Sequence, residues 1–483
     1  MMNCLLVFPY VLAEDPTQRK VRSPFPPLGL MYVAQALRDA GFNVSVLDCT
    51  YLASIGEAAE TIQSSDARCV GIYSMMTMTR NASTIARVAH SCGKVVIYGG
   101  PDPSSDPDKY LRRYAGDYVV IGEGEETGPE LISSIENGWK PRNVKGLAYL
   151  DEAKRGSIII TPPRVRDRDL DSLPLPARDL IDNERYKETW RRDQGYSLTS
   201  ILTTRGCPFG CYACSEKTIF GPRVQFRSSG NVIRELEEIV RRYGYDRVWF
   251  ADDIFTLRKD RTLQICKQIR ETGLKFSWSC LARADLVDEE TLSAMKRAGC
   301  DAVFFGVESG SQQMLDAMNR KMSVEQIVAG IAMAKKFGLK VHAFMMVGFP
   351  GENYDSLKET IHFLRELEPD EVSFTIPYPV PGTELFEMVE LRTPQSEWHV
   401  PNENSLLFKS DIPEWALRFA IFKAKNEYYM QRRVRRGQKM FQIPLLVFRK
   451  VTDVLLRLCI PKGIMRPKLS QCPVMSEALA KLA

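Results

Sequence analysis

The chain of 483 residues contains only four histidines, and its net charge is small at +5. No apolar run reaches the roughly 18 residues that a membrane-spanning helix requires, so no segment is expected to cross a bilayer. The opening residues, Met1-Met2-Asn3-Cys4-Leu5-Leu6-Val7-Phe8-Pro9, lack the basic start and cleavage site of a secretory leader, and read as a buried strand ended by proline. Twelve cysteines in such a chain point to a reducing cytoplasm rather than to a disulfide scaffold. The scarcity of histidine bears on which metal those cysteines hold, because structural zinc sites are closed by four Cys or His ligands. With 44% apolar and 26% charged residues, the composition is that of a globular protein with room for two or three domains.

One cysteine set is dense. Cys207, Cys211 and Cys214 follow an apolar run at C-x-x-x-C-x-x-C spacing, with Gly206, Pro208 and Gly210 supplying the looping needed for thiolates to converge. No histidine and no fourth cysteine lies nearby. A 4Fe–4S cluster takes four thiolates, so three leave one iron open to a substrate or cofactor. Zinc and three unrelated buried cysteines are the competing readings.

The motif resembles the cluster motif of the radical S-adenosylmethionine (SAM) superfamily, and the resemblance continues over about 198–385. It implies that SAM chelates the open iron. The superfamily often has an aromatic residue just before the third cysteine, where this chain has Ala213, with Tyr212 one place earlier. Phe209 and Tyr212 are the candidate cofactor contacts within the motif.

From 198 onward a strand–helix unit recurs about six times, with strands at 198–204, 247–251, 276–281, 302–307, 341–347 and 371–376. This fits the partial (β/α)6 barrel of radical SAM enzymes, whose chemistry sits at strand carboxyl ends. The resemblance assigns Asp252 and Asp253, after the second strand, to the SAM amino group. Glu308 would bond the ribose hydroxyls, and Arg283 or Arg320 would pair with the SAM carboxylate. By the same resemblance Gly348 in Val347-Gly348-Phe349-Pro350-Gly351 would belong to the adenine-side loop, and Tyr378 would face the mouth as the candidate catalytic residue or as a rim filler. Taken singly, each of these reads as readily as a surface ion pair or an ordinary loop; what counts is their order at successive strand ends.

Before the motif, apolar runs at 4–8, 43–47, 69–73, 95–98 and 118–121 alternate with helical stretches, which predicts a Rossmann-like, doubly wound parallel sheet in an α/β protein. Ligands of such sheets lie at the strand carboxyl ends. Those ends carry Ser74-Met75-Met76-Thr77, Gly99-Gly100-Pro101-Asp102 and Gly122-Glu123-Gly124-Glu125. Each loop alone reads as a turn. Together they resemble the cobalamin-binding domain of class B radical SAM enzymes, which implies a cobalamin site lined by Ser74, Thr77, Gly99, Gly100, Asp102, Gly122, Glu123 and Gly124. Asp102 stands where the family loop has histidine, and the D-x-H-x-x-G signature is absent. Two readings follow, cobalamin bound without a lower histidine or a domain that has lost the cofactor.

The expected organisation is a cobalamin-binding domain at 1–140, a hairpin (with a turn at Lys154-Arg155-Gly156) and proline-punctuated linker at 141–190, the barrel at 191–388, and a basic, mostly helical region at 389–483. In the last, Arg432, Arg433, Arg435 and Arg436 precede an apolar stripe over 440–458. That combination reads as peripheral membrane binding, as a helix packed on the barrel with a basic face in water, or as a nucleic-acid surface, the last disfavoured. Cys459 and Cys472 do not make a convincing second cluster site.

The resemblance is nearest to the branch holding the anaerobic magnesium-protoporphyrin ester cyclase and the hopanoid and bacteriochlorophyll C-methylases. It implies a cobalamin-dependent radical SAM methyltransferase that methylates an unactivated carbon through a 5′-deoxyadenosyl radical, with a flavodoxin or ferredoxin as electron donor. A hydrophobic small molecule or lipid would be the substrate, and the enzyme would be cytoplasmic, with peripheral contact at the inner membrane face. The rivals are a radical SAM cyclisation, coupling or rearrangement enzyme that does not use cobalamin for methyl transfer, a tRNA methylthiotransferase, and a non-catalytic cobalamin or metal carrier. Cys4, Cys49, Cys69 and Cys92 are too scattered for the second cluster that a methylthiotransferase needs.

Overall fold

A computed structural model describes residues 2–460 apart from 16–17, 152–155, 166–168, 395–397 and 399–404. Lys154, Arg155 and Cys472 lie outside the described residues. The first sheet is built from β1 (Asn3–Phe8), β2 (Asn43–Asp48), β3 (Cys69–Tyr73), β4 (Val95–Gly99), β5 (Tyr118–Val120), β6 (Leu147–Asp151) and β7 (Ser157–Ile160), in the order β2-β1-β3-β4-β5-β6-β7. The first five strands are parallel, while β6 adds antiparallel to β5 and β7 antiparallel to β6. The hairpin beyond position 140 therefore extends this sheet.

Alternation along the strands explains the layering. Leu5, Val7, Val70, Ile72, Val96 and Tyr98 pack into one apolar cluster, and Cys4, Leu6, Phe8, Cys69 and Ile97 into another on the opposite face. Successive side chains of a strand point to opposite faces, so a strand buried on both sides reads as a continuous apolar run. Strand order reverses between β1 and β3, and this switch point is where open sheets bind ligands.

The second sheet contains six parallel strands, β8 (Leu198–Ile201), β11 (Arg247–Phe250), β12 (Ser277–Ala282), β13 (Cys300–Glu308), β14 (Lys340–Met346) and β15 (Glu371–Thr375), in simple sequential order. A short antiparallel pair, β9 (Thr204–Arg205) and β10 (Gln225–Phe226), brackets the cysteine loop. Val248, Phe250, Val303, Phe305, Val341 and Ala343 face the surrounding helices in one large core. The alternate positions Trp249, Phe304, His342 and Phe344 are half-buried on the other face.

The linker is locked to the barrel through a buried charge cluster. Glu235 has no exposure and accepts from Arg178 at 2.6 Å and Arg227 at 2.5 Å. Arg178 also donates to Thr199 Oγ1 at 3.1 Å and to the Ser200 carbonyl at 2.7 Å, and Arg227 to the Leu202 carbonyl at 2.9 Å. Tyr32, on helix Leu28–Asp39 of the first domain, accepts from Arg227 at 3.2 Å.

At the C-terminal end, helices Glu414–Arg435 and Gln442–Cys459 form an antiparallel pair. Leu445, Thr452 and Leu456 turn inward and Phe448 is half-buried, but most of the stripe faces out: Ile443 is 75% exposed and Leu458 78%, and Met440, Leu446, Val447, Val451, Val454 and Leu455 are exposed too. The arginine cluster is divided. Arg432 is tied to the carbonyl and carboxylate of Asp370, and Arg435 to Glu368 at 2.6 Å and Glu366 at 3.3 Å. These two hold the helix end to the barrel, leaving Arg433 and Arg436 as the outward charges of the four. Among the described residues no helix is long and apolar enough to cross a membrane.

Replacing Glu235 with Ala removes the shared counter-charge of two buried guanidinium groups. Breaking a buried pair from one side costs about 3–5 kcal/mol, and chemical denaturation should show a loss of that size.

Candidate functional site

The cysteine loop is set by backbone contacts on every side. Asp252, wholly buried, accepts from the amides of Thr203 at 2.6 Å and Thr204 at 2.9 Å and from the Thr203 hydroxyl. Cys207 N donates to Gly221 O at 3.3 Å, Cys214 N to Cys211 O at 3.1 Å, and Tyr212 N to Met318 O at 3.1 Å. The Tyr212 carbonyl accepts from Leu385 N at 3.0 Å. Gly206 has φ +89, and a Cβ there would lie 2.4 Å from the Arg223 carbonyl oxygen. The loop can close in this form only with glycine at that position.

Cys207 and Cys211 are half-buried and Cys214 is exposed, all as free thiols, and Cys211 is close enough to both others to act on them electrostatically. No three His, Cys, Asp or Glu side chains among the described residues converge tightly enough for a single metal ion. A 4Fe–4S cluster asks for something different, with each thiolate on its own iron. Three thiols spread over one loop fit that group better than they fit zinc.

Around the thiols the barrel ends gather charge. Arg320 donates to Cys211 Sγ at 3.3 Å and to Gly306 O at 2.6 Å, and lies 3.7 Å from the Glu308 carboxylate. Gly306 makes room for it, since a Cβ would come within 2.9 Å of Arg320 Nη2 and 3.0 Å of Glu308 Oε1. Glu308, Asn319 and Lys321 all have positive φ, at 64°, 55° and 48°. Such conformations cost about 1–3 kcal/mol each and gather at functional sites. Burial pushes the Glu308 carboxyl up, and the Arg320 charge opposes it. Asp253 is pushed up to about 6 by burial and then by Asp252, with a Glu216 hydrogen bond opposing.

Other expected contacts have prior commitments. Arg283 chelates Asp285 at 3.0 and 2.9 Å, donates to Arg320 O at 3.1 Å and stacks 3.8 Å from the Phe209 ring centre. It thus braces Phe209 and the Arg320 turn, leaving Arg320 the better placed of the two toward the thiols. Asp252, expected at the SAM amino group, is instead held by the backbone of the cysteine loop, because a wholly buried carboxylate is retained only with donors around it. Gly348 has φ +86 and its Cβ would lie 2.7 Å from Leu417, so it serves the packing of helix Glu414–Arg435. Tyr212 packs with Met314, Met318, Phe349 and Leu385, and Tyr378 is half-buried beyond β15.

At the first sheet, Ser74 bonds Tyr110 at 2.8 Å, and Asp102 binds Tyr110 at 2.5 Å, Lys109 at 2.9 Å and Thr79 at 3.3 Å. Both are buried in one network, so Asp102 does not stand as a lower ligand. A Cβ on Gly100 (φ +107) would strike Ser74 O at 2.6 Å, and one on Gly124 would meet Val33 at 2.9 Å, so these glycines answer to their own scaffold. Gly122 N donates to Ser104 Oγ at 3.0 Å. Glu123 pairs with Arg205 at 2.5 Å. Gly99 opens onto free space, with no atom within 4 Å of its Cβ position, and Met75 and Thr77 are exposed beside the same sheet edge. That open edge fits a bulky planar ligand.

Sequence reasoning missed Asn319, whose side chain donates to Gly210 O at 2.6 Å, and Glu352, buried and pushed up to about 8 by burial, whose carboxylate accepts from Gly348 N. Asn is the residue that tolerates left-handed backbone outside glycine, and that was the available signal for Asn319. Arg205, next to Gly206 of the cysteine loop, reaches across to the other domain.

A three-thiol loop at the end of a six-stranded parallel sheet, facing the ligand edge of a doubly wound sheet, defines a cobalamin-binding radical SAM architecture. The radical SAM superfamily profile matches residues 201–364, and the B12 binding domain profile residues 17–132. An uncharacterised methyltransferase of Pyrococcus horikoshii is 34% identical over 391 residues, covering 80% of this chain and 83% of the relative. The anaerobic magnesium-protoporphyrin IX monomethyl ester cyclase of Rubrivivax gelatinosus is 26% identical, over 76% of this chain and 67% of the relative. The structure of the radical SAM methyltransferase TsrM of Kitasatospora setae, with cobalamin and a 4Fe–4S cluster bound, superposes with TM-score 0.67 at 22% identity, over 80% of this chain and 74% of that one.

This chain belongs to the cobalamin-binding methyltransferase family of the radical SAM superfamily. It is an enzyme whose cofactors are a 4Fe–4S cluster, SAM and cobalamin, and it depends on a one-electron reductant.

Gly206→Ala should fold its two sheets yet fail to hold iron. Iron analysis of anaerobically reconstituted protein, set beside circular dichroism, checks this.

Proposed function

We propose that this enzyme transfers a methyl group to an unactivated carbon of a bulky, apolar substrate presented at a membrane surface. The observation that carries the methyl-transfer part is the meeting of the two cofactor loops. Helix Pro101–Ser105, directly after Gly99-Gly100, neighbours helix Glu216–Ile219, directly after Cys214. When bound, the cluster with SAM supplies hydrogen abstraction and cobalamin supplies the methyl group. The protein's part is to hold them at one mouth and exclude water.

In this reading Cys207, Cys211 and Cys214 ligate the cluster, Arg320 and Glu308 orient SAM by charge and hydrogen bonds, and Asp253 receives its ammonium group. Tyr378 stands at the substrate side. Gly99, Met75 and Thr77 carry the corrin edge. A flavodoxin or ferredoxin is the reductant this chemistry calls for.

Changing Cys207, Cys211 and Cys214 together to Ala should abolish iron binding and 5′-deoxyadenosine formation. Wild-type protein should keep near-stoichiometric cobalamin through anaerobic gel filtration, and Gly99→Leu should weaken it without disturbing the fold. Wild-type protein that forms 5′-deoxyadenosine but holds no cobalamin would favour the coupling or rearrangement chemistry instead.

The membrane part rests on the stripe of helix Gln442–Cys459, which faces outward and not onto the barrel. A contiguous exposed apolar face of this kind marks an interaction surface, and an amphipathic helix flanked by basic residues suits an anionic bilayer. Arg433, Arg436 and Lys439 stand at its start. Full-length protein should co-sediment with phosphatidylglycerol-containing vesicles at low salt. Ile443→Ser with Val454→Ser should lower the bound fraction several-fold at unchanged thermal stability. Absence of sedimentation at low salt would leave a substrate taken from solution.

A further inference from the structure

One guanidinium joins the two cofactor loops. Arg205 ends β9, two residues before Cys207, and reaches into the first domain. Its Nη1 lies 2.5 Å from Glu123 Oε1 and its Nη2 2.5 Å from Glu125 Oε1. The three side chains are 6%, 8% and 5% exposed. The rings of Tyr32, from the first domain, and Phe220, just after the cysteine loop, lie 5.6 and 5.4 Å from the guanidinium carbon.

Neither end of this contact has slack. On the barrel side Gly206 is held at φ +89 against the Arg223 and Gly221 carbonyls, so a displacement of Arg205 is passed to Cys207. On the other side Glu125 lies in the first turn of helix Gly124–Glu136, and Gly124 fits closely on Val33. The same acidic loop forms part of the ligand edge of the sheet. A fork of two parallel donors on two carboxylates fixes direction as well as distance, which a single point charge does not.

We propose that the Arg205–Glu123–Glu125 clamp couples the two cofactor sites, so that filling the cluster site tightens cobalamin binding, and filling the cobalamin site secures the cluster by the same factor. The inference rests on the cofactor assignment above. Its physical basis is that each filled loop favours the one arrangement in which the clamp is closed, and an opened clamp leaves buried charges unmatched. Coupling between sites is reciprocal by thermodynamic necessity, and its usual size is about 5–150-fold in affinity. Arg205 is thus a positioning residue that acts through the loops it holds.

The test measures occupancy dependence, which a plain scaffolding role would leave flat. Full-length protein is titrated anaerobically with hydroxocobalamin, in the cluster-reconstituted form and in the iron-free form, and bound corrin is read by its visible absorbance after ultrafiltration. The dissociation constant is expected to be about tenfold lower with the cluster present, near the lower end of the usual range. Cluster loss to a chelator, followed by its own absorbance, should slow by a similar factor when cobalamin is bound. Arg205→Lys should bring both factors near one while the iron-free affinity stays within about twofold. Glu125→Gln provides a second variant with the same expectation should the lysine protein fail to fold. Equal affinity with and without the cluster in wild-type protein overturns the clamp proposal alone, as does a full wild-type factor in folded Arg205→Lys or Glu125→Gln. Absence of cobalamin binding in both forms overturns the cofactor assignment and the clamp with it.

Discussion

A carboxylate with no access to water anchors the turn from which the cysteine loop departs. Asp252 accepts from two consecutive amides and a hydroxyl, and Arg261 closes the arrangement by donating to the Thr203 carbonyl at 3.0 Å and hydroxyl at 2.8 Å. Burial drives the Asp252 carboxyl up while Arg261 and these donors oppose it. In a low-dielectric interior hydrogen bonds strengthen and unmatched groups become costly. The direction in which Arg205, Gly206 and Cys207 leave the barrel follows from this one knot, and so does the reach of Arg205 toward the first domain.

The strained residues meet the same cysteine loop from its other side. Glu308, Asn319 and Lys321 hold left-handed backbone around Arg320, and Asn319 and Glu308 each have a partner at that turn. Asn319 ties the turn to Gly210, and Arg320 ties it to Cys211. The thiol loop and the Asn319–Arg320 turn are therefore one mechanical unit, assembled from segments more than a hundred residues apart in the chain.

Much of the architecture was legible in the sequence because it rests on local signals. Strands buried on both faces write themselves as apolar runs, and the glycines and cysteines stand at their ends. The six barrel strands and the five parallel strands of the first domain follow from that rule, and the family resemblance supplied the cofactors. What could not be read was how each polar side chain is engaged. Ser74 and Asp102 look free for a ligand in the sequence but are joined through Tyr110, a residue on a different element. Gly100 and Gly124 look like room for cobalamin but make room for a carbonyl and for Val33. Arg432 and Arg435 look like a surface cluster, yet Asp370, Glu366 and Glu368 draw both of them onto the barrel. In every case the deciding partner lies across space, where neither periodicity nor spacing reaches.

The exposed arginines beside the stripe and the buried clamp respond to salt differently. At about 0.15 M ionic strength, charges at a surface are screened over roughly 8 Å, whereas pairs shielded from water are screened much less. Raising salt would weaken the attraction of Arg433 and Arg436 for an anionic surface while leaving the Arg205, Arg178 and Arg227 contacts intact. On the proposed membrane reading, salt would loosen the electrostatic part of that docking with the two domains still in register, so docking and internal geometry would be set by physically separable forces.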